Sequence, residues 1–102
     1  ALNKADVEEV YVGCGYPEGD SGMNVARIAS IVAGLPVTTA AATINRFCSS
    51  GLQAIACAAQ QVVLEGVDVA IGGGVESITM VSSKSAPSVN VKAAEIKPGL
   101  YM

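Results

Sequence analysis

The sequence predicts an α/β fold in which strands and helices alternate in the order β-α-β-α-β. Three strand-like segments are separated by two segments with helical patterns, and such crossover connections place the strands parallel. The second helical segment is apolar on nearly every side, which is typical of a buried helix. We therefore expect a layered architecture with sheets on both sides of that helix.

The first strand and the first helix are predicted from the N-terminal third of the chain. Residues 7–13 form a short Val-rich segment that runs into a Gly- and Pro-containing loop, the pattern of a strand and its turn. A helix is predicted over about residues 24–33, and Gly34 and Pro36 provide its stop signal. The apolar positions that share one face of this helix are Val25, Ile28, Ala29 and Val32.

The remaining elements are more apolar. Residues 37–45 are rich in Thr, Ala, Val and Ile without a period, consistent with a strand buried on both faces. The longer helix is predicted from about Cys48 to Glu65 and ends at Gly66. A third buried strand over residues 68–71 leads into three consecutive glycines.

The composition indicates a packed domain that lacks part of its polar cover. Of the 102 residues, 51% are hydrophobic and 15% are charged, against roughly 25% charged residues in typical soluble domains. A small domain needs a polar surface because its surface is large relative to its volume. We therefore expect much of this surface to be buried against the rest of a longer chain or a partner subunit.

Charge and cysteine content exclude several classes of function. The net charge of −3 comes without a basic stripe, so nucleic-acid binding has no support. We expect no membrane span, because charged residues and glycines interrupt each apolar stretch, and no signal peptide. Three cysteines without CxxC spacing favour a reducing, cytoplasmic location and no metal site. The chain has no histidine, which excludes a Cys–His pair built within it.

Cys48 lies where the apolar strand gives way to the small-residue helix. From position alone, a buried structural cysteine is the more common role. The alternative is a nucleophile, because the small residues Ser49, Ser50 and Gly51 leave the helix-start amides free to stabilise a thiolate or an oxyanion. A serine at this place is also a common N-cap.

The run Asn45-Arg46-Phe47-Cys48-Ser49-Ser50-Gly51-Leu52-Gln53-Ala54-Ile55 resembles the nucleophile motif of thiolases. Residues 13–19, 24–28 and 34–36 resemble the family segments upstream of that motif. Residues 72–80, Gly-Gly-Gly-Val-Glu-Ser-Ile-Thr-Met, resemble a segment downstream of it. The resemblance is ordered, covers roughly residues 7–81, and is strongest to bacterial 3-ketoacyl-CoA thiolases of fatty-acid oxidation.

This resemblance implies a thiolase-like layered fold and a role for Cys48 as the acyl-accepting nucleophile. The family transfers an acyl group from 3-ketoacyl-CoA to the cysteine, releases acetyl-CoA, and passes the acyl group to a second CoA. Coenzyme A is thus a co-substrate, and no bound cofactor is implied. Thiolases are homo-oligomers, either dimers or tetramers, and a partner in a β-oxidation multienzyme complex is a further expectation.

The resemblance also implies that the chain is a part of the N-terminal half. An activating histidine and an acid/base cysteine come from Gly-His-Pro and Cys-x-Gly motifs of the C-terminal half, and this sequence has neither motif. We assign residues 1–81 to a partial thiolase N-terminal domain. Residues 82–102 are assigned to the start of an irregular loop-domain excursion.

Two other functions remain open at this point. A β-ketoacyl synthase shares the fold and a Cys-Ser-Ser nucleophile, but usually lacks Arg-Phe before the cysteine. A non-catalytic thiolase-like fragment or binding domain is favoured, for this chain alone, by the absence of histidine.

The other candidate residues favour structural roles. The glycines at 72–74 lack the known phosphate-loop patterns and predict close backbone packing. Glu76 is expected to be a buried carboxylate that fixes a loop by accepting backbone N–H bonds rather than to act as a base. Cys57 lies on the opposite side of the helix from Cys48 and is expected to pack. Cys14 is assigned no role.

Overall fold

A three-stranded parallel sheet forms the centre of the protein in the computed structural model, which describes residues 2–82. The strands are β1 (Glu9–Gly13), β2 (Ala40–Ile44) and β3 (Ala70–Gly74), in the spatial order β2-β1-β3. Both neighbours of β1 run parallel to it, so the predicted β-α-β-α-β order and the α/β class are confirmed. The predicted excursion lies outside the described residues from position 83 onward.

Helices α1 (Val25–Val32) and α2 (Ser50–Gln60) connect the strands, and α3 (Ile78–Ser82) follows β3. Short 3₁₀ turns occupy Lys4–Asp6 and Gly19–Ser21. Helix α2 continues as a π-helical turn over Gln61–Glu65, so the predicted long helix is present with a change of winding in its last part.

Local chemistry sets the ends of the two crossover helices. Asn24 caps α1, because its side-chain oxygen accepts from the Arg27 amide at 3.2 Å. The helical segment that begins with α2 ends at Gly66, which adopts φ +74° in the left-handed region that favours glycine.

Helices α1 and α2 lie on opposite faces of the sheet. Strands β2 and β3 lie on opposite sides of β1. The right-handed crossover from β1 to β2 and the one from β2 to β3 therefore run in opposite directions across the sheet. Thr43 on one face accepts a hydrogen bond from the Ala26 amide of α1 at 3.1 Å. On the other face Gly72 lies directly under α2, where an added Cβ would be 2.8 Å from the Ile55 Cα.

The described core is small and consists mainly of side chains between the sheet and its helices. Small side chains dominate it because both helices approach the sheet closely. Its fully or nearly fully buried hydrophobic residues are Val7, Val10, Cys14, Ala26, Ala54, Ala58 and Val81.

The face of α1 that packs on the sheet differs from its apolar stripe. Ala26 and Ser30 are buried, whereas Val32 from the predicted stripe is 83% exposed. Polar anchors set this rotation: the Ala26 amide bonds to Thr43, and the Arg27 guanidinium donates to the backbone carbonyls of Thr39 and Val37. Hydropathy alone does not record these bonds, and Ile28, Ala29 and Val32 of the apolar stripe are exposed.

Helix α2 is covered on one side by the residues that the structure describes. Its small residues Ser50, Ala54 and Ala58 are buried against the sheet, whereas Leu52 is 73% exposed. The expected burial on all sides needs a second layer, and residues 2–82 provide one sheet. The apolar composition on the uncovered side is nevertheless typical of a helix that is buried in a larger assembly.

Residues 47–65 are long and apolar enough to cross a membrane by length and composition, with 19 residues and a mean hydropathy of 1.3. The prediction that charged residues and glycines interrupt each apolar stretch before it could span a membrane therefore does not hold for this segment. The core helix of a layered fold meets the same two conditions. Because α2 packs on the sheet through small side chains, we interpret this segment as a core helix.

Replacing Gly13 by alanine tests the close approach of α2 to the sheet. An added Cβ at Gly13 would lie 2.2 Å from the carbonyl carbon of Ser50, so the start of the helix would have to move. We expect Gly13→Ala to lower the free energy of unfolding by at least about 2 kcal/mol in urea denaturation.

Gly73→Ala is the matched control, because nothing lies within 4 Å of a Cβ at that strand position. Its effect should stay within about 1 kcal/mol. Equal losses in the two variants would contradict the packing described here.

Candidate functional site

The candidate site lies at the edge of the sheet where all three parallel strands end. The connections after β1, β2 and β3 meet there, as expected for the carboxyl ends of parallel strands. Cys48 stands in the connection between β2 and α2, two residues before the helix begins, and is exposed. A buried structural cysteine, the alternative favoured by position alone, is therefore not what residues 2–82 show.

The backbone before Cys48 turns sharply at Phe47. Phe47 adopts φ +48°, in the left-handed region that a residue with a Cβ visits at a cost of about 1–3 kcal/mol. Its side chain is 77% exposed. The Asn45 side chain stabilises this turn by accepting from the Phe47 amide at 3.0 Å. The turn carries the chain from the strand end to the helix start and leaves Cys48 at its outer side.

Ser50 stabilises this turn through hydrogen bonds to the backbone. Its hydroxyl accepts from the Arg46 amide at 2.8 Å and donates to the Phe47 carbonyl at 2.6 Å, and the residue is 3% exposed. Its own amide also donates to the Phe47 carbonyl at 3.0 Å. Ser49 occupies the N-cap position without a side-chain cap bond, and its hydroxyl donates to the Arg46 carbonyl at 3.0 Å. The two serines therefore hold the loop rather than cap the helix.

The first turn of α2 presents free amides beside the cysteine. The N–H groups of Gly51 and Leu52 have no carbonyl acceptor within residues 2–82. Gly13 and Gly74 allow this helix start to lie against the strand ends, because an added Cβ at either would meet the backbone of Ser50 or Gly51. Amides at a helix start favour a negative charge, so this arrangement suits a thiolate or an oxyanion.

Glu76 joins the loop after β3 to the loop after β1. Its carboxylate accepts from the Gly15 amide at 2.8 Å and from the Tyr16 amide at 3.1 Å. The thiol of Cys14 also donates to it at 3.6 Å. The prediction that Glu76 fixes a loop through backbone N–H bonds is confirmed, whereas its expected burial is wrong, because the residue is exposed.

Cys14 and Gly15 show how tightly this junction is packed. Cys14 is fully buried, and burial raises the pKa of its thiol above its ordinary value. The Glu76 charge raises that pKa further, while the Tyr16 backbone N–H opposes both effects. At Gly15, an added Cβ would lie 2.9 Å from the Phe47 carbonyl oxygen. The β1 loop thus abuts the loop that carries Cys48.

Two adjoining cavities open beside Cys48, and Cys48 lines both. The first has a volume of about 240 Å³ and is mostly apolar. The second has about 260 Å³ and reaches the start of α2 and the end of β3. The first cavity is lined by Gly15, Tyr16, Phe47, Cys48, Glu76 and Ile78.

Sequence reasoning missed the cavity walls Tyr16, Phe47 and Ile78 as a group. Tyr16 and Phe47 lie in the connections after β1 and β2, Ile78 begins α3, and no periodic pattern links the three. The available signal was the topology, because residues just past the ends of parallel strands converge at one edge.

The remaining candidates lie away from this site or have structural contacts. Cys57 accepts a weak hydrogen bond from the Gln53 side chain at 3.6 Å and lines neither cavity. Gly72 and Gly74 pack against α2, as predicted for close backbone contact. In the part of the chain that the structure describes, no three His, Cys, Asp or Glu side chains are arranged to hold a metal ion.

Comparison with known proteins adds a family assignment. The profile described as "Thiolase, N-terminal domain" matches residues 1–98. A 3-ketoacyl-CoA thiolase of Bacillus subtilis (strain 168) is 42% identical over 100 residues, which are 97% of this chain and 26% of that protein. A 3-oxoadipyl-CoA/3-oxo-5,6-dehydrosuberyl-CoA thiolase of Escherichia coli (strain K12) is 42% identical over 93 residues, 91% of this chain and 22% of that protein.

A solved structure agrees in fold. The acetyl-CoA acetyltransferase of Bacillus anthracis matches with a TM-score of 0.70 and 42% identity over 76% of this chain and 19% of that chain. The thiolase-like α/β architecture is therefore confirmed. The chain spans about a quarter of the length of the curated relatives it matches.

Thiol labelling distinguishes Cys48 from Cys14. Burial raises the pKa of the Cys14 thiol, so a smaller fraction of Cys14 is present as the reactive thiolate at a given pH. With iodoacetamide at pH 8, we expect Cys48 to be alkylated at least about tenfold faster than Cys14, as followed by peptide mass spectrometry. Faster labelling of Cys14 would contradict the burial assigned to it.

Glu76→Ala tests the link between the two loops. It leaves the amides of Gly15 and Tyr16 without their acceptor, so we expect a loss of about 1–2 kcal/mol in the free energy of unfolding. Glu76→Gln keeps one acceptor oxygen and should lose less. Glu65→Ala, at an exposed position outside the site, is the control and should change stability by less than about 0.5 kcal/mol. A Glu76→Ala protein as stable as this control would contradict the link.

Proposed function

The chain belongs to the thiolase family, and from that premise we propose that Cys48 is the nucleophile of a thiolytic acyltransferase. The parent enzyme would cleave 3-ketoacyl-CoA with CoA to acetyl-CoA and a shortened acyl-CoA, through an S-acyl-cysteine intermediate. The observation that carries this proposal is an exposed thiol that lines both cavities beside the free amides of a helix start.

The proposed reaction has two acyl transfers. The Cys48 thiolate attacks the C3 carbonyl of the substrate, the C2–C3 bond breaks, and its electron pair takes up a proton at C2 to give acetyl-CoA. In the second transfer a CoA thiolate attacks the thioester carbonyl and the bond to the Cys48 sulfur breaks. Amides at the start of α2 are suited to stabilise the thiolate before attack and after release.

The proton transfers need groups beyond this chain. The sequence has no histidine, and the carboxylate of Glu76 accepts from two amides and the Cys14 thiol. We propose that an activating histidine and an acid/base cysteine come from the remainder of the parent enzyme. The 102-residue chain by itself would then be inactive, which is the part of the non-catalytic alternative that we retain.

The walls of the first cavity support an acyl substrate. Tyr16, Phe47 and Ile78 offer apolar surface next to the Cys48 sulfur, which suits the chain of a thioester-bound acyl group. We propose CoA as co-substrate rather than as a resident cofactor. Membership of the thiolase family disfavours the β-ketoacyl synthase alternative.

The compartment and the oligomeric state of the enzyme are proposed from the cysteines and from the surface of α2. Cys14, Cys48 and Cys57 are all free, which supports a reducing, cytoplasmic compartment. The uncovered apolar side of α2 supports burial against further parts of a homo-oligomeric enzyme, dimer or tetramer. A contact with a β-oxidation multienzyme partner belongs to the same proposal.

Trapping the intermediate tests this function. The full-length enzyme, incubated with a 3-ketoacyl-CoA in the absence of free CoA, should carry an acyl mass on the peptide that contains Cys48. We expect Cys48→Ala to show no adduct and to lose at least about 1000-fold in kcat, because the group that forms the covalent bond is removed.

Cys57→Ala is the matched control, since Cys57 lies away from both cavities, and it should keep the adduct on Cys48. An adduct on another residue, or full thiolysis by Cys48→Ala, would overturn the assignment.

A further inference from the structure

We infer that Ser50 is a positioning residue for Cys48, an inference that rests on the proposed nucleophilic role of Cys48. Its hydroxyl ties together the two residues that precede Cys48 in the chain. Ser50 touches no substrate in this proposal. It acts through the backbone of the loop that presents the sulfur.

The Ser50 hydroxyl both accepts and donates a hydrogen bond to the backbone of the loop. The Arg46 amide donates to its hydroxyl, and the same hydroxyl donates to the Phe47 carbonyl. One oxygen therefore satisfies a backbone donor and a backbone acceptor that lie on either side of a single peptide unit. A simple N-cap would bond an amide of the helix, and Ser50 instead bonds groups outside it.

The burial of Ser50 makes these bonds hard to replace. Ser50 is 3% exposed, and its two side-chain hydrogen bonds to the loop backbone are partly buried. Removing the hydroxyl would leave the partly buried Arg46 amide without this partner, which weakens the bonding that holds the turn. The loop would then relax toward a geometry that satisfies the amide elsewhere.

Phe47 explains why such a relaxation would move Cys48. The left-handed φ of +48° at Phe47 is unfavourable for a residue with a Cβ and persists only where surrounding bonds impose it. Ser50 holds the residue through its hydroxyl and its amide, which both donate to the Phe47 carbonyl. A return of Phe47 to a common φ would rotate the next residue, Cys48, away from the cavities. A displacement of about 1 Å at a reacting group can cost about 100-fold in rate.

Ser30 provides a matched control within the same chain. It is also 3% exposed, and its hydroxyl donates to the Ala26 carbonyl at 2.7 Å in α1, away from the site. Ser30→Ala and Ser50→Ala therefore remove buried hydroxyls from equally buried positions. A purely structural role for Ser50 would give the two variants similar behaviour.

The experiment measures S-acylation of the full-length enzyme by rapid quench with a 3-ketoacyl-CoA, together with kcat, KM and thermal unfolding. We expect Ser50→Ala to acylate Cys48 about 100-fold more slowly with KM changed by less than about threefold. Ser30→Ala should acylate at the wild-type rate. Ser50→Thr, which keeps the hydroxyl, should recover at least about tenfold of the loss and covers the case in which Ser50→Ala fails to fold.

Three results would overturn the inference. The first is a wild-type acylation rate in Ser50→Ala, the second is equal rate losses in Ser30→Ala and Ser50→Ala, and the third is equal rate losses in Ser50→Thr and Ser50→Ala. Failure of the proposed function is separate, because wild-type enzyme would then carry no acyl group on Cys48.

Discussion

The close packing of α2 against the ends of the strands is the constraint on which the rest of the site depends. Gly13 and Gly74 leave no side chain between the sheet and the helix start, and Gly72 does the same one turn further along. The start of α2 therefore lies against the ends of β1 and β3, and the connection from β2 spans residues 45–49. That short connection places Cys48 at the sheet edge with the first amides of α2 beside it.

The loops around the sulfur are held by polar contacts rather than by a large hydrophobic core. Ser50 fixes the turn before Cys48, and Glu76 fixes the loop after β1 against the loop after β3. Each of these side chains satisfies backbone groups that a tight turn leaves without partners. The apolar surface is consequently free to line the cavity instead of packing the loops. This division of roles leaves a mostly apolar cavity open beside Cys48.

Much of this arrangement could be predicted from the sequence. The alternation of strand and helix patterns predicts the parallel sheet. The small residues after Cys48 predict a helix that starts beside this cysteine. The role of Glu76 as a loop anchor was also predictable, since a carboxylate soon after a strand end meets other loop amides. These features depend on local sequence and on the known geometry of parallel sheets.

Other features depend on contacts that local patterns do not encode. The rotation of α1 follows from hydrogen bonds of Ala26 and Arg27 to distant backbone and side-chain groups, so its apolar stripe does not face the sheet. The left-handed φ of Phe47 has no sequence signal, because phenylalanine rarely adopts it. The cavity walls come from two connections and from the start of α3, and the fold brings them together.

A crystal structure of the full-length enzyme after reaction with a 3-ketoacyl-CoA would show where the acyl group is bound. We expect an acyl group bonded to the Cys48 sulfur, its chain against Tyr16, Phe47 and Ile78, and the Ser50 hydrogen bonds to Arg46 and Phe47 intact. An acyl group on a different residue, or a Cys48 sulfur turned away from these walls, would contradict it.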